Sequence, residues 1–417
     1  MRRHKGDTLI IVLMFILMCV GLLVMYTIGP VRANFLNAAA GEQKYAESSF
    51  FIHQLISVVI SIGVFAVFAK FLNYEYVKKL SKILIVLALG ACVVLAIAQF
   101  TNLPFAVCEL GACRWIGVGP LSIQPAELVK FALVVYLAVI FTEYKGKEFW
   151  IRYLASVGAS LFFVVVLQKD LGSGVPIAMV ALFTLFKSGI SWKSFALICV
   201  AVVFLGVGAI LSSPHRRERF FTYFGVSDPK TETSEEEEDA NAYHIENALI
   251  AIGTGGMFGV GIGNSVQATG YLPESINDSV FAIMGETFGF VWLVVILLVF
   301  VWLLFRVLRV ADYSTDNANS LIAVGAFAWI MTHLIVNVMA MTKIIPLTGI
   351  TLPLLSYGGT SMMAVAGMLG LVYQISEYTS REVVIDSARK AKTSEKSGFS
   401  RHVKYEQVNY GNYRRRR

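Results

Sequence analysis

The sequence Tyr-Leu-Pro-Glu-Ser-Ile-Asn-Asp, residues 271–278, closes a long polar segment, and the apolar run VFAIMGETFGFVWLVVILLVFVWLL, residues 280–304, follows it. This run is long enough to cross a bilayer, which takes about 20 helical residues. Two acids, Asp278 and Glu286, stand at its start, eight residues apart. Because eight residues make a little over two helical turns, we predict that both carboxylates lie near one helix face.

Acids in a spanning segment usually face a bundle interior or a water-filled cavity, and they mark functional sites. Asp278 is therefore a candidate functional residue. The alternative is a structural role, since an aspartate just before a helix is a common N-terminal cap.

Composition indicates a membrane protein. The hydrophobic fraction of the 417 residues is 56% and the charged fraction is 15%, whereas soluble domains carry about 25% charged residues. We predict an all-α polytopic membrane protein with about ten transmembrane helices. The predicted spans are Thr8–Ile28, Phe51–Ala69, Ile83–Phe100, Ala126–Thr142, Tyr153–Leu167, Gly174–Phe186, Ser194–Leu211, Val280–Leu304, Ser320–Met341 and Thr360–Ser376.

Ten spans place both termini on one side of the membrane. Most of the 35 Lys and Arg residues lie on that side, and an excess of positive charge marks the cytoplasmic face. We therefore predict cytoplasmic termini and a large extracytoplasmic loop, 212–279, between the seventh and eighth spans. Residues 1–376 form the predicted transmembrane domain. The basic tail 377–417 has few apolar residues, so we predict that it is disordered and prefers anionic lipid to nucleic acid.

Several polar or irregular segments fall on the predicted outer face. Glu127 and Lys130 are three residues apart at the mouth of a spanning helix, so they can form an ion pair. The segment 346–359 is too rich in Pro and Gly to be helical. Irregular backbone at membrane depth is tolerated only where it is buried in protein or lines a watery cavity.

Cysteines and histidines indicate little by themselves. Cys108 and Cys113 share an outer loop, where a disulfide is one option that spacing alone leaves open. His244 and His333 are isolated in the sequence and are interpreted as satisfied polar histidines. No zinc-binding pattern is present.

Two parts of the outer loop have simple interpretations. The acidic run Glu235–Asp239 is predicted to be a solvated, flexible insertion. The glycine-rich segment 253–263 lacks the strand–helix context of a phosphate-binding loop, so we predict a tightly turning external segment.

Seven motifs occur in a fixed order along the chain. They are Arg114-Trp-Ile, Gln124-Pro-Ala-Glu-Leu-Val-Lys130, the turn Gln168-Lys-Asp-Leu-Gly-Ser, Ala251-Ile-Gly-Thr-Gly-Gly, Tyr271-Leu-Pro-Glu with Asp278, Phe281-Ala-Ile-Met-Gly-Glu286, and Pro346-Leu-Thr-Gly through Ser356-Tyr-Gly-Gly359. In their order and span context, these motifs resemble the SEDS proteins, the FtsW/RodA/SpoVE family of cell-wall glycan polymerases, and most of all its FtsW branch. The resemblance covers nearly the whole chain up to the tail.

The resemblance implies a peptidoglycan glycosyltransferase that polymerises lipid II into glycan strands during cell division. A sugar 4-hydroxyl attacks the anomeric carbon of a lipid-diphosphate donor with inversion, which requires a base and positive charge for the leaving group. By match to the family motif, Asp278 is the expected base, and a membrane-mouth setting tends to raise the pKa of a carboxylic acid towards the working range.

The remaining candidates are expected to bind substrate. Fixed cations stabilise anionic leaving groups, so Lys130, Arg216 and Arg219 are candidates for the diphosphate. Further candidates are Arg114, Lys169, Gln124, Glu127, Glu286 and Ser356. A divalent cation is an alternative source of positive charge, although no ligand cluster in the sequence supports one.

Structural alternatives stand beside these roles. Lys130 can snorkel and pair with Glu127, and Glu286 can be a buried hydrogen-bond hub, which is the role we favour. Arg216 and Arg219 can form a solvated face or bind lipid phosphates, and the segment that holds Ser356 can shape a loop without touching substrate.

The sequence departs from the family pattern at several positions. His244 and His333 stand where glutamine is typical, Lys169 replaces a proline, and Asn277 and Ser279 flank Asp278 where Thr and Phe are usual. The unusual neighbours of Asp278 bear on substrate fit, although the acid itself is retained.

Expected partners, again by resemblance, are lipid II, a class B penicillin-binding protein, other division or elongation proteins, and the lipids of the bacterial cytoplasmic membrane. Two other classes of function remain: a lipid II flippase or transporter, since interior charges and broken helices also suit transport, and a division scaffold without chemistry of its own.

Overall fold

A computed structural model describes residues 5–101, 105–109, 112–118, 121–211, 217, 220, 221, 223 and 235–379. The helices within these residues are α1 (Thr8–Ala40), α2 (Ser49–Ala66), α3 (Tyr74–Thr101), α4 (Pro125–Glu143), α5 (Gly146–Leu161), α6 (Leu171–Lys187), α7 (Trp192–Leu211), α8 (Glu235–Gly255), α9 (Val280–Tyr313), α10 (Asn317–Met341) and α11 (Gly359–Ser376). Single π-helical turns, Val67–Phe71 and Phe162–Leu167, extend α2 and α5.

Each predicted span coincides with one of these helices, and the protein is a multi-pass membrane protein. Eight helices of the described part are long and apolar enough to cross a membrane; α6 is shorter. The number of membrane crossings stays a prediction.

Local sequence signals start several helices. The carboxylates of Asp7, Asp170 and Asp316 accept hydrogen bonds from backbone N–H groups in the first turns of α1, α6 and α10, as N-terminal caps do. Pro125 occupies the first turn of α4, where its missing N–H costs nothing. These caps fix the points at which polar connections enter the bundle.

The connections that were predicted to be extracytoplasmic contain more regular structure than the sequence indicated. The segment before α4 forms an antiparallel sheet in the order β1 (Ala106–Glu109), β2 (Ala112–Val118) and β3 (Leu121–Ile123). The acidic run Glu235–Asp239 was predicted to be a flexible insertion, but its backbone begins α8. α8 packs along α9, so this part of the loop between α7 and α9 is folded onto the bundle.

The prediction of one continuous span over α9 is wrong, because the backbone of α9 is not helical at Gly289 (φ 83°, ψ 176°). The turn after α8 pairs with the interrupted backbone. Val260 N donates to Glu286 O (2.9 Å), and Phe290 N donates to Gly256 O (2.9 Å). The glycine-rich turn is therefore part of the packed structure rather than a purely external segment.

The centre of the bundle consists of α4, α10 and α11, which are largely buried. α10 packs against α4, α6 and α9, and α11 packs against α2. The irregular segment 342–358 lies among these helices, and its Leu352, Leu354 and Leu355 are almost fully buried. Of the two settings that suit irregular backbone, burial in protein therefore applies to this part of the segment.

Candidate functional site

Asp278 lies in the turn that leads into α9, and the residue is 8% exposed. The helix begins only at Val280, so the prediction that Asp278 and Glu286 share a helix face is wrong. Ser279 Oγ lies 3.5 Å from Asp278 Oδ1, and a Cβ added at Gly349 would lie 3.9 Å from Oδ2. The carboxylate therefore sits where the α9 entry turn meets the segment 342–358.

The turn around Asp278 is held by its neighbours. Ser279 Oγ donates to Pro273 O (2.9 Å), and His244 Nε2 lies 2.7 Å from the same hydroxyl. His244 thus reaches from α8 to the Asp278 turn as a hydrogen-bonded polar histidine. Tyr357 N donates to Ile276 O (2.9 Å), which ties the turn to the end of the segment 342–358.

Asn337 of α10 holds the backbone of Asp278 directly. Its Nδ2 donates to Asp278 O (2.7 Å) and to Ile350 O (2.7 Å), and the residue is 1% exposed. The sequence analysis missed this residue. The one available signal was an amide side chain within an apolar span, because buried polar groups require partners.

Lys130 forms the predicted pair with Glu127, with Lys130 Nζ 2.7 Å from Glu127 Oε1. The pair is enclosed, since Lys130 is fully buried and Glu127 is 3% exposed. The alternative in which the Lys130 side chain snorkels towards the membrane surface is therefore wrong. The ammonium also lies 3.0 Å from His333 Nε2 and 5.5 Å from the Trp329 ring centroid.

His333 is not isolated in the fold. Its Nδ1 lies 3.1 Å from Thr351 O. A carbonyl oxygen only accepts hydrogen bonds, so Nδ1 carries the proton and Nε2 accepts from the Lys130 ammonium. Both ring nitrogens are satisfied, as predicted, by partners that the sequence did not identify.

Glu286 of α9 is a hydrogen-bond hub for the turn at residues 265–267. The residue is 2% exposed, and its carboxylate accepts from Ser265 Oγ, from Val266 N (3.0 Å) and from Gln267 N (3.2 Å to Oε2). These donors belong to the turn that begins the 3₁₀-helix Gln267–Thr269. The predicted hydrogen-bond hub at Glu286 is present, and its candidate role in substrate binding stays a prediction.

The candidate residues Gln124 and Arg114 form hydrogen bonds between separate connecting segments, at the end of the bundle where β3 lies. Gln124 Nε2 donates to Asp170 Oδ2 (3.1 Å), and its backbone N donates to Thr360 Oγ1 (3.3 Å). Arg114 donates to the carbonyl oxygens of Gln168 and Lys169 at 3.4 and 3.1 Å. Lys169 has a left-handed backbone, with φ 55°.

Ser356 belongs to the internal structure of the segment 342–358. Its Oγ accepts from Leu352 N (2.9 Å), and Gln54 Nε2 donates to its carbonyl (3.3 Å). The neighbouring Tyr357 hydroxyl lies 3.2 Å from His53 Nδ1. Burial raises the pKa of Tyr357 above its usual value, which itself lies well above neutral pH. The protonated phenol can therefore donate to His53.

Arg216 and Arg219 lie outside the described residues, so their roles remain predictions. Within the part that the structure describes, no three His, Cys, Asp or Glu side chains gather as metal ligands. The Cys108–Cys113 disulfide that the sequence left open is formed, between β1 and β2.

Comparisons with known proteins agree with this fold. The solved chains include RodA of Thermus thermophilus, 20% identical with a TM-score of 0.63, covering 90% of this chain and 98% of that one. A chain from a structure of a peptidoglycan synthase complex is 21% identical with a TM-score of 0.69, covering 90% and 99%. At these identities the similarity shows the fold alone.

Relatives by sequence include stage V sporulation protein E of Bacillus subtilis, 31% identical over 91% of this chain and 99% of that protein. A probable peptidoglycan glycosyltransferase FtsW of Tolumonas auensis is 32% identical, covering 88% and 91%. The model of the family named FtsW/RodA/SpoVE and described as "Cell cycle protein" matches residues 7–381. This chain therefore belongs to the FtsW/RodA/SpoVE family.

Proposed function

We propose that this protein is a peptidoglycan glycosyltransferase that polymerises lipid II into glycan strands during cell division, with Asp278 as the general base. The observation that carries the proposal is the placement of Asp278. Its carboxylate lies at the entry of α9 against the segment 342–358, and its backbone carbonyl is held by Asn337. A general base needs such a fixed position within reach of the proton it removes.

In the proposed reaction, the 4-hydroxyl oxygen of the acceptor sugar forms a bond to the anomeric carbon of the donor. The bond from that carbon to the phosphate oxygen breaks, and undecaprenyl diphosphate leaves with the electron pair. Asp278 takes the hydroxyl proton. Attack opposite the leaving group inverts an α-linked donor into a β-linked strand.

The leaving diphosphate requires positive charge. Lys130 is paired with Glu127 in a closed site, so it reaches a diphosphate only if that site opens. Arg114 is engaged with two carbonyl oxygens at 3.1–3.4 Å and Lys169 lies beside it. Arg216 and Arg219 remain the primary candidates, and a divalent cation is a second source of charge.

We also propose how the bundle is oriented in the membrane. Asp7 contacts both Arg306 and Ser376, so the start of α1 and the end of α11 lie together. The excess of basic residues favours the cytoplasm for this end. We propose that residues 1–376 are the membrane domain, that 377–417 form a cytoplasmic tail, and that the Asp278 end is extracytoplasmic.

A class B penicillin-binding protein is the proposed main partner, with other division or elongation proteins and membrane lipids. The support is family membership, together with the name of the peptidoglycan synthase complex among the chains of similar fold.

The test is lipid II polymerisation by purified protein in the presence of a class B penicillin-binding protein. Asp278→Asn keeps the shape of the side chain but cannot accept the proton, so we expect at least a ~100-fold loss of rate with unchanged thermal unfolding. The control is Glu246→Gln, at an exposed position on α8, which should polymerise at the wild-type rate.

Three outcomes separate the candidate functions. If Asp278→Asn polymerises lipid II at the wild-type rate, Asp278 is not the general base. Transfer of lipid II across liposomes without any polymerisation indicates a transporter. A wild-type protein that performs neither reaction but binds its partner indicates a scaffold.

A further inference from the structure

We infer that His333 and Asn337 are positioning residues that hold Lys130 and Asp278 in one hydrogen-bonded framework. The two residues lie four apart on α10, about one helical turn. The inference rests on the proposed function and deepens it. Neither residue is expected to touch substrate.

Asn337 fixes the side of the framework that contains Asp278. Its amide uses both N–H groups, one to Asp278 O and one to Ile350 O, each at 2.7 Å. The opposite amide orientation would place an oxygen against two carbonyl oxygens, so the two acceptors set the orientation. Asn337 thereby ties the entry turn of α9 to the segment 342–358.

His333 fixes the side that contains Lys130. It accepts from the ammonium at 3.0 Å through Nε2 and donates to Thr351 O at 3.1 Å through Nδ1–H. Glu127 holds the same ammonium from the other side at 2.7 Å. The position of the cation therefore depends on both an acid of α4 and a ring of α10.

The hydrogen bonds of Asn337 and His333 end on consecutive residues of the segment 342–358, since Asn337 donates to Ile350 O and His333 donates to Thr351 O. The path from Lys130 to Asp278 runs through His333, the carbonyl oxygens of Thr351 and Ile350, and Asn337. α6 packs closely against this segment, since a Cβ added at Gly172 would lie 2.7 Å from Thr348 O. We expect a displacement at one end of this path to be passed to the other.

A purely structural role predicts a different pattern of effects. Buried hydrogen bonds that only stabilise the fold would lower the unfolding temperature and leave the rate per folded molecule unchanged. Positioning predicts a lower kcat with a nearly unchanged KM for lipid II, because the lost interaction aligns reacting groups rather than binding the substrate.

The first test compares His333→Leu with His333→Gln. Glutamine has an acceptor and a donor at its end and can serve both partners, whereas leucine serves neither. We expect kcat for lipid II polymerisation to fall at least ~10-fold in the leucine variant, with KM within ~2-fold of wild type. The glutamine variant should keep at least half of the wild-type kcat.

The glutamine variant also separates positioning from acid–base chemistry. Glutamine does not titrate in the working range, so positioning predicts a pH–rate profile that superimposes on the wild-type profile. A glutamine variant as inactive as the leucine variant would contradict positioning and indicate that His333 transfers a proton.

The second test is Asn337→Leu, for which we expect the same loss of kcat at unchanged KM. The matched control is Thr332→Val, which is also buried on α10 and loses only a bond to Ala328 O of its own helix. It should polymerise at the wild-type rate per folded molecule.

If the leucine variants do not fold, His333→Asn and Asn337→Ser carry the same expectation, because these shorter polar side chains cannot reach both partners. Wild-type kcat in these folded variants overturns the inference while leaving the proposed function intact. A wild-type protein that fails to polymerise lipid II overturns both.

Discussion

At the scale of single residues, Glu286 illustrates how a buried acid becomes structural. Its carboxylate receives one hydroxyl and two backbone N–H groups from residues 265–267. Hydrogen bonds to a charged group contribute about 1.5–3 kcal/mol each. The acid thus anchors the turn that precedes the Asp278 segment, although it does not contact Asp278.

Glu286→Gln should lower the stability of the turn at residues 265–267, because one amide N–H₂ would face donors that require an acceptor. We expect a loss of about 2 kcal/mol, measured as a lower unfolding temperature or as faster amide exchange in residues 265–269. Glu246→Gln should change neither. A variant that is fully stable but inactive in polymerisation would instead place Glu286 in the reaction.

At the scale of elements, the break in α9 is built from glycines. Gly289 has a positive φ, a conformation that residues other than glycine rarely adopt. A Cβ at Gly255 would lie 1.9 Å from Gly285 O, so the end of α8 approaches the backbone of α9 too closely for a side chain. The turn after α8 then supplies partners for the interrupted helix, as non-helical backbone at membrane depth requires.

Gly255→Ala should therefore destabilise the contact between α8 and α9, since the methyl group meets backbone that cannot move aside. Gly253→Ala, two residues earlier on the same helix, meets nothing within 4 Å and should be neutral or stabilising by up to about 1 kcal/mol. Thermal unfolding in detergent checks both variants. Equal unfolding temperatures would show that α8 can move away from α9 at little cost.

At the scale of the whole molecule, Asp7 joins the start of α1 to the end of α11 at one end of the bundle. Its carboxylate binds the Arg306 guanidinium, with Nε at 2.7 Å, and caps α1 at Leu9 N. Its backbone N donates to Ser376 Oγ (2.9 Å). One residue therefore connects the first helix, the long α9 and the last helix at the same end.

Asp7→Ala should remove both the cap and the charge-assisted bonds, so we expect a loss of about 2–3 kcal/mol. The control is Asp312→Ala, which breaks the exposed pair with Lys187 and should cost at most about 1 kcal/mol. Unfolding temperatures of the two variants in one detergent provide the comparison. A similar small shift for both would mean that the Asp7 contacts contribute little.

The sequence by itself determined the spans and the local pairs. Apolar runs long enough to cross a bilayer become helices because their backbone groups must pair within the segment. The pair of Glu127 and Lys130 was predictable because three residues in a helix bring side chains together. Asp278 and Glu286 were identified as candidate site residues because they are acids beside or within an apolar run.

Only the tertiary structure decided which residues meet across the bundle. His333 reaches Lys130 and Asn337 reaches Asp278 because α4, α10 and the segment 342–358 pack together, and nothing in local spacing encodes those contacts. The break at Gly289 could not be predicted from the sequence either, since a glycine within an apolar run is compatible with a helix. It forms because the turn after α8 pairs with the opened backbone, an interaction between segments that the chain brings together only on folding.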